Sequence, residues 1–278
     1  MSLLASITSG VSTSGVRMVV AAVEKMGKTT FCSGAPGVLL VPCEVGFAGV
    51  NCPRTPMLQS WDAVLAFMAE VTQLAQQGKF PFKTIVFDSI TAIERFIHEA
   101  VIARDPLSGR GGKKTITMDS AHGGYGKAYN LANDEFDTFL KSCDVLAVHA
   151  GINIVFTCHV FASKMVDPNS GEYDSWDLLL HSPKNMKTYG KREILTQWAD
   201  VIAFMYEPIF VTKDGEMSKG VSQNKGRVMG LSRTPSYTAG NRFNASGEIS
   251  IPPPPANGWN TFADAIFKAS GVDLFTRQ

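Results

Sequence analysis

A glycine, a lysine and two threonines near the N-terminus are the residues best placed to do chemistry. They stand as Gly27-Lys28-Thr29-Thr30, after an apolar stretch at residues 16–23. Apart from Ala22 in place of the first glycine, the spacing is that of a phosphate-binding loop, G-x-x-x-x-G-K followed by Ser or Thr. In such a loop, backbone N–H groups surround phosphate oxygens, the lysine reaches the β- and γ-phosphates, and the hydroxyl completes the shell of Mg²⁺. The sequence therefore predicts an ATP and Mg²⁺ site made by Ala22, Val23, Glu24, Lys25, Met26, Gly27, Lys28, Thr29 and Thr30.

Ala22 is the departure from this pattern, because a methyl group excludes some backbone dihedral angles that glycine adopts. We expect a somewhat different start of the loop, with consequences for nucleotide affinity or hydrolysis rate. The alternative is that Gly27-Lys28-Thr29 only begins a helix in an unrelated protein. The order of strand, loop and helix favours phosphate binding.

A carboxylate stands where the third predicted strand of the chain ends. Residues 84–88 read Thr-Ile-Val-Phe-Asp, so Asp88 is expected at the carboxyl edge of a sheet, where open α/β proteins bind ligands. This is the pattern of a Walker B aspartate, and we predict that Asp88 and Thr29 share the metal. The alternative is that Asp88 caps the following helix, a role that Ser89 is equally able to fill.

Two further polar residues follow predicted strands at the same edge. Glu44 comes after the strand at residues 38–43, and His159 comes after the strand at residues 152–158. Hydrolysis of a γ-phosphate needs a group that orients or deprotonates the attacking water, so we predict that Glu44 is the catalytic base and that Lys28 and His159 assist it. A solvated loop glutamate and a histidine packed beneath its loop are the competing interpretations.

The elements that must position these residues alternate between strand and helix. This alternation predicts an α/β fold, a mostly parallel sheet flanked by helices. Helices are predicted at residues 27–33, 60–77, 90–104, 125–149 and 259–269. Besides the strands already given, we predict strands at residues 198–206, 209–212 and 227–232, with residues 105–124 as a loop and the chain irregular after residue 236.

Composition excludes several classes of protein. The 278 residues are 45% hydrophobic and 18% charged, against roughly 25% charged in an average protein, which excludes whole-chain disorder. A net charge of +1 excludes a polybasic protein. Five cysteines without zinc-like spacing are expected to be reduced thiols. Without an apolar run of about 18 residues or a signal peptide, we expect a cytoplasmic protein with no membrane contact.

The domain organisation follows from the same patterns. Residues 1–15, rich in Ser, Thr and Gly, are predicted to be a flexible arm. Residues 16–235 are predicted to form the core, and residues 236–278 a C-terminal extension with a short helix.

These motifs resemble the RecA-type P-loop ATPase core. The segments V-E-K-M-G-K-T-T-F, L-L-V-P-C-E-V-G and T-I-V-F-D-S-I-T are more closely similar to phage-encoded AAA-domain nucleotide-binding proteins, some of which are RecA-like single-strand annealing recombinases. The similarity covers about residues 16–243, including the later A-G-N-R-F segment. It implies ATP and Mg²⁺ as ligands, a homo-oligomer or filament with nucleotide between subunits, and the bacterial host cytoplasm as location. It also assigns Lys28 and Thr29 to phosphate and magnesium, Asp88 to the metal, Glu44 to water activation and His159 to a γ-phosphate sensor.

The same resemblance implies single-stranded DNA as a partner, and a single-strand-binding protein as a further one. One segment combines cations with an aromatic ring, as single-strand binding requires. It contains Lys184, Lys187, Tyr189, Lys191 and Arg192. The alternatives are a solvated loop, or Lys191 or Arg192 reaching in trans toward a neighbour's γ-phosphate.

Two weaker basic features accompany this segment. The first is the glycine-rich loop with Arg110, Lys113 and Lys114, and the second is the surplus of cations between Lys213 and Arg233.

Two classes of function remain open. The first is a DNA-dependent ATPase of phage recombination or replication. The second is a nucleotide-dependent switch or assembly ATPase that acts on a protein partner without binding DNA.

Overall fold

The computed structural model describes most of the chain. It covers residues 7, 14–106, 117–183, 189–214, 217–222, 226–271 and 273. The predicted arm at residues 1–15 lies almost wholly outside these ranges. Lys184, Lys187, Arg110, Lys113 and Lys114 lie outside them as well.

The strands and helices follow one another as an α/β chain. The strands are β1 (Arg17–Ala21), β2 (Val38–Pro42), β3 (Thr84–Asp88), β4 (Asn153–Cys158), β5 (Val160–Asp167), β6 (Gly171–Leu178), β7 (Val201–Tyr206), β8 (Ile209–Asp214), β9 (Met217–Ser222), β10 (Arg227–Gly230), β11 (Gly240–Asn241) and β12 (Glu248–Ile251). The helices are α1 (Lys28–Cys32), α2 (Trp61–Gln76), α3 (Ile90–Ala103), α4 (Lys127–Asp144), α5 (Lys191–Trp198) and α6 (Gly258–Ser270).

A mixed, mostly parallel sheet forms the centre. In the described part of the chain its strand order is β12-β10-β7-β1-β4-β3-β2, with β11 paired to β7 as the eighth strand. Strands β7, β1, β4, β3 and β2 are parallel, so their carboxyl ends meet at one edge. Strands β10 and β11 run antiparallel to β7, and β12 runs antiparallel to β10. The predicted fold class is confirmed.

Two apolar layers cover the faces of this sheet. On one face, α2, α3 and α4 bury residues such as Trp61, Ile93 and Phe136 against the strands. On the other face, α1 and α6 bury Phe31 and Trp259, whose ring centroids lie 5.5 Å apart. The core strands are apolar over nearly their whole length because both of their faces are covered.

Serine side chains fix the starts of two helices beside the sheet edge. The Ser60 side chain accepts a hydrogen bond from the Ala63 backbone N–H, and the Ser89 side chain accepts one from Ala92. Because Ser89 caps α3, the carboxylate of Asp88 is not needed for that role.

Three predictions about elements need correction. Residues 191–198 form helix α5, whereas the sequence patterns indicated a basic loop running into a strand at residue 198. The helix predicted at residues 125–149 is α4 followed by a π-helical turn, Val145–His149. The stretch predicted as irregular after residue 236 supplies β11 and β12 to the central sheet, while residues 252–255 are irregular as predicted.

The C-terminal segment is therefore integrated into the core. Strand β12 pairs with β10 from Arg227↔Ile251 to Gly230↔Glu248. Helix α6 packs on α1 through aromatic rings. The sheet continues across the boundary that the sequence placed at residue 235.

Candidate nucleotide-binding site

The turn after β1 has the backbone of a phosphate-binding loop. Gly27 has φ +89°, in the left-handed region, and α1 begins at the next residue. Ala22 is fully buried, is not among the residues with positive φ, and its N–H donates to the Cys158 carbonyl at 3.3 Å. The backbone at Ala22 therefore requires no glycine, whereas Gly27 occupies a conformation that favours one.

Lys28 lies across the loop. Its side chain is almost completely buried, and its Nζ donates to the carbonyl oxygens of Ala22 at 3.0 Å and Val23 at 3.1 Å. Burial lowers the pKa of Lys28 below its ordinary value, although the nearby Asp88 carboxylate opposes the shift. An ammonium held inside the loop is positioned to meet phosphate oxygens at that point.

Asp88 lies at the end of β3, next to the start of α1. Its Oδ2 accepts a hydrogen bond from Thr29 Oγ1 at 2.8 Å, and its Oδ1 accepts a short one from Thr157. Only 3% of Asp88 is exposed, so its carboxylate is fixed by two hydroxyl groups. This pairing brings the two predicted metal ligands, Thr29 and Asp88, into direct contact.

Glu44 and His159 also meet at this edge. Glu44 Oε1 lies 2.7 Å from His159 Nε2, and Arg95 Nη2 approaches Glu44 Oε2 at 3.5 Å. Burial acts to raise the pKa of Glu44, but the hydrogen bond and charge of His159 outweigh it, with Ser89 and Arg95 contributing, so the pKa falls below its usual value. An ionised carboxylate only accepts hydrogen bonds, so Nε2 of His159 carries the proton between them.

The other ring nitrogen of His159 faces the loop. Nδ1 is buried and has no hydrogen-bond partner among the described residues, and Oε1 of Glu24 lies 3.6 Å away. The histidine borders a polar cavity of about 390 Å³. Glu24, Glu44, Thr91, Glu94, Arg95, His159 and Leu179 line this cavity.

Comparison with protein families agrees with this geometry. The model of a family described as AAA domain matches residues 14–243, which include the loop, Glu44, Asp88 and His159. The chain belongs to the AAA domain family. It is therefore a P-loop nucleotide-binding ATPase domain. A search of curated proteins found no match.

Thr29 and Asp88 are the two side chains of the AAA domain that we predict as ligands of Mg²⁺. Among the described residues, no group of three or more His, Cys, Asp or Glu side chains could hold a metal ion. Thr29 and Asp88 fit a metal that completes its shell with phosphate oxygens and water, as Mg²⁺ does. When bound, Mg²⁺ would neutralise charge on the transferring phosphate.

The loop also fits a phosphate chain. The guanidinium of Arg227 lies directly beside Gly27, in the space that a side chain at this position would take. At the same sheet edge lies the buried Nδ1 of His159, which has no hydrogen-bond partner among the described residues and is able to bond to a ligand.

Two of the residues predicted to contact DNA, Lys191 and Arg192, are instead held by carboxylates within the AAA domain. Lys191 is fully buried, and its Nζ lies 3.4 Å from Glu94 Oε1 and 3.4 Å from Asn133 Oδ1. Arg192 is paired with Asp177 at 2.8 Å and with Glu193 at 3.1 Å. Lys191 is therefore unable to reach DNA or a neighbouring subunit, and Arg192 is held by two carboxylates of its own chain. Tyr189 is 64% exposed, and its contact with DNA stays a prediction.

Four polar residues of the site were not predicted as site residues. Thr157 bonds to Asp88, Thr91 Oγ1 accepts the His159 N–H at 3.2 Å, Arg95 approaches Glu44, and Arg227 lies against the loop. Thr157 was detectable as a polar residue inside an apolar strand. Thr91, Arg95 and Arg227 show no such local signal, because only the fold brings them to the site.

Among the described residues, no helix combines the length and apolar character needed to cross a membrane.

Proposed function

We propose that this AAA domain binds ATP with Mg²⁺ and hydrolyses the γ-phosphate. The observation that carries the proposal is the convergence of four chain segments at one sheet edge. The loop with Lys28 and Thr29, the end of β2 with Glu44, the end of β3 with Asp88 and the end of β4 with His159 all meet there.

Each side chain has a distinct task in this proposal. Lys28 and the backbone N–H groups up to Thr30 bind the phosphates, while Thr29 and Asp88 hold the metal. Glu44 orients the attacking water and accepts its proton. His159 fixes the Glu44 carboxylate through Nε2 and presents Nδ1 toward the loop.

The lowered pKa of Glu44 has a consequence for this chemistry. The carboxylate is ionised at neutral pH, so it is available as a hydrogen-bond acceptor for water. Orienting the water and accepting its proton are then both tasks of the Glu44 carboxylate.

The test is ATP turnover by the purified chain, with and without Mg²⁺. Lys28→Ala removes the buried ammonium and is expected to abolish nucleotide binding. Turnover that survives in Lys28→Ala at the wild-type rate would show that the activity belongs to a contaminant and would overturn the proposal.

We further propose that ATP binding drives an action on single-stranded DNA, in phage recombination or replication within a bacterial cytoplasm. The proposal includes a homo-oligomer or filament, with a single-strand-binding protein as a further partner. Its support is the resemblance to phage annealing proteins and the exposed ring of Tyr189. In this proposal, Lys184 and Lys187, which precede Tyr189 in the sequence, supply the cations that bind the phosphate backbone of DNA.

One structural feature favours the rival function, a switch that acts on a protein partner. The hairpin of β5 and β6 starts directly after His159, and Leu179 N–H donates to the His159 carbonyl at 2.8 Å. Residues 160–178 contain four acidic residues and one lysine, which disfavours contact with DNA phosphates. The exposed apolar residues Val166 and Trp176 on the same hairpin are typical of a protein contact.

A titration of labelled single-stranded DNA separates the two functions. Fluorescence anisotropy is recorded at low salt with ATP, with ADP and without nucleotide. ATP-dependent binding that is weakened by Tyr189→Ala, and not by Val166→Ser on the hairpin, supports DNA as the partner. Absence of ATP-dependent binding by a folded, ATP-binding protein favours the switch.

A further inference from the structure

Arg227 is the first residue of β10, at the same sheet edge as the nucleotide site. Strand β10 runs antiparallel to β7, with Val228 opposite Tyr206, so its N-terminal end lies beside the carboxyl end of β7. The next strand along the sheet is β1, which leads into the phosphate-binding loop. The antiparallel direction therefore places a cation from a distant part of the sequence next to the loop.

The guanidinium of Arg227 lies against the loop itself. Nη1 donates to the Met26 carbonyl at 3.4 Å, and Nη2 donates to the Pro252 carbonyl at 3.4 Å. Nη1 also lies in the space that a Cβ at Gly27 would occupy. Gly27 adopts a positive φ, which favours glycine, and the flexible end of Arg227 fills the space beside it.

Arg227 differs in its partners from other partly buried arginines. Arg17 and Arg192 both form ion pairs with carboxylates at 3.0 Å or less. Within the described ranges, no carboxylate lies within 4 Å of the Arg227 guanidinium, and its two carbonyl contacts are long. A guanidinium has five N–H donors, so most of its donors remain available for an anion.

We propose that Arg227 binds the phosphate chain of the nucleotide held by the loop of the same subunit. The inference rests on the proposed nucleotide site and adds a second cation to it, on the opposite side of β1 from Glu44 and His159. Arginine recognises phosphate oxygens through paired N–H donors, whereas lysine acts as a point charge. The bound chain of phosphates would thus be held by Lys28 within the loop and by Arg227 from outside it.

Equilibrium binding tests the proposal without using turnover. Dissociation constants of ATP, ADP and inorganic tripolyphosphate are measured by calorimetry for the wild type, Arg227→Ala, Arg227→Lys and Lys28→Ala. The matched control is Arg233→Ala, because Arg233 is an exposed arginine just beyond β10. Circular dichroism and the unfolding midpoint without nucleotide establish that each variant is folded.

We expect Arg227→Ala to raise the dissociation constants of ATP, ADP and tripolyphosphate about 10- to 100-fold, as loss of a charged hydrogen bond does. Arg227→Lys should recover part of this affinity, and Arg233→Ala should match the wild type. The salt dependence of ADP binding should also become shallower in Arg227→Ala, because one cation fewer contacts phosphate.

Two results would overturn the inference. Unchanged dissociation constants in folded Arg227→Ala would do so, as would a loss confined to ATP and ADP with tripolyphosphate unaffected, which would assign Arg227 to the nucleoside. In both cases a loss of binding in Lys28→Ala would leave the proposed nucleotide site intact. Failure of the wild type to bind any of the three ligands would overturn the proposed function together with this inference.

Discussion

Glu44 Oε1 and His159 Nε2 lie 2.7 Å apart, although the two residues are separated by 115 positions in the sequence. Glu44 follows β2 and His159 follows β4, while β3, which ends in Asp88, lies between those strands. The pair therefore spans the end of the strand that carries Asp88, the carboxylate that we propose as a metal ligand. The sheet order, rather than any local motif, brings Glu44 and His159 to the same edge as Asp88.

Glu44→Gln is expected to preserve nucleotide binding and to lower ATP turnover by at least about 100-fold. The amide keeps the size of the side chain but is unable to accept a proton from water. Turnover and the dissociation constant of ATP are measured on the same preparation. A Glu44→Gln protein with wild-type turnover would contradict the assignment of the base.

Thr29→Val is expected to remove the advantage that Mg²⁺ gives to ATP binding. The substitution keeps the branched shape of the side chain and deletes the hydroxyl that donates to Asp88 Oδ2. The dissociation constant of ATP is compared with and without Mg²⁺, and the wild type should show a clear difference. Thr30→Val, one position further along α1, is the matched control. Equal Mg²⁺ dependence in Thr29→Val and the wild type would remove Thr29 from the metal site.

Ala22→Gly restores the usual first residue of the loop and is expected to bring no gain in affinity or turnover. The backbone of Ala22 does not adopt a positive φ, and its methyl group is buried. Glycine would add conformational freedom to the unfolded chain and remove buried surface, so stability should fall by about 1 kcal/mol. Chemical unfolding and ADP calorimetry measure both quantities. A tenfold gain in affinity would show that the methyl group does distort the loop.

Lys191→Met tests the corrected place of Lys191. Removing the ammonium leaves Glu94 buried without its ion-pair partner, so we expect a loss of about 3 kcal/mol in the free energy of unfolding. Lys191→Met combined with Glu94→Gln should recover part of that loss. Lys141→Met, on an exposed lysine that pairs with Asp137, should cost far less stability than Lys191→Met.

DNA affinity gives the second readout for Lys191. Under conditions in which the Lys191→Met protein is folded, it should bind single-stranded DNA with the affinity of the wild type. A selective loss of DNA binding with unchanged stability would return Lys191 to the DNA surface.

The sequence predicted the parts of the molecule that depend on local patterns. Strands β1 to β4 are buried on both faces and read as apolar runs, and Ser89 caps α3, the role that the sequence offered it. Asp88 was found because it ends such a run. The fold class followed from the alternation of these strands with helices.

The parts that were missed depend on distant partners. A lysine in a polar segment indicates an exposed loop, and only the fold places Glu94 next to Lys191 and buries both. Strands β11 and β12 are short, and they are ordered by pairing with β7 and β10 rather than by their own composition. Arg227 reaches the phosphate-binding loop because β10 runs antiparallel, a direction that no local pattern in the sequence specified.

Because the pKa values of His98 and His181 are lowered in the folded protein, we expect the protein to lose stability in mild acid. Burial is the main cause that lowers the pKa of His98 to about 3 and that of His181 to about 4, and the charge of Lys191 adds to both shifts. Glu94 Oε1 lies 3.9 Å from His98 Nε2, but Lys191 already pairs with that carboxylate. Both histidines are therefore neutral in the folded protein well below pH 6.

The direction of the effect follows from proton uptake. In the unfolded chain each histidine takes up a proton near pH 6.5, while the folded protein does so only near pH 3 to 4. The unfolded state thus binds more protons in this window, so the free energy of unfolding falls as the pH is lowered from about 6.5 toward 4. A buried histidine contributes a loss of about 1.4 kcal/mol per pH unit within the window, which is about 2 kcal/mol between pH 6.5 and 5 for His98.

His98→Phe should flatten this pH dependence, because phenylalanine keeps the ring that packs edge-on against Tyr129 and takes up no proton. Urea unfolding at several pH values between 5 and 7.5 measures the slope. His149→Phe replaces an exposed histidine and should leave the slope of the wild type unchanged. If His98→Phe and the wild type lose stability in parallel as the pH falls, the acid sensitivity arises from groups other than His98.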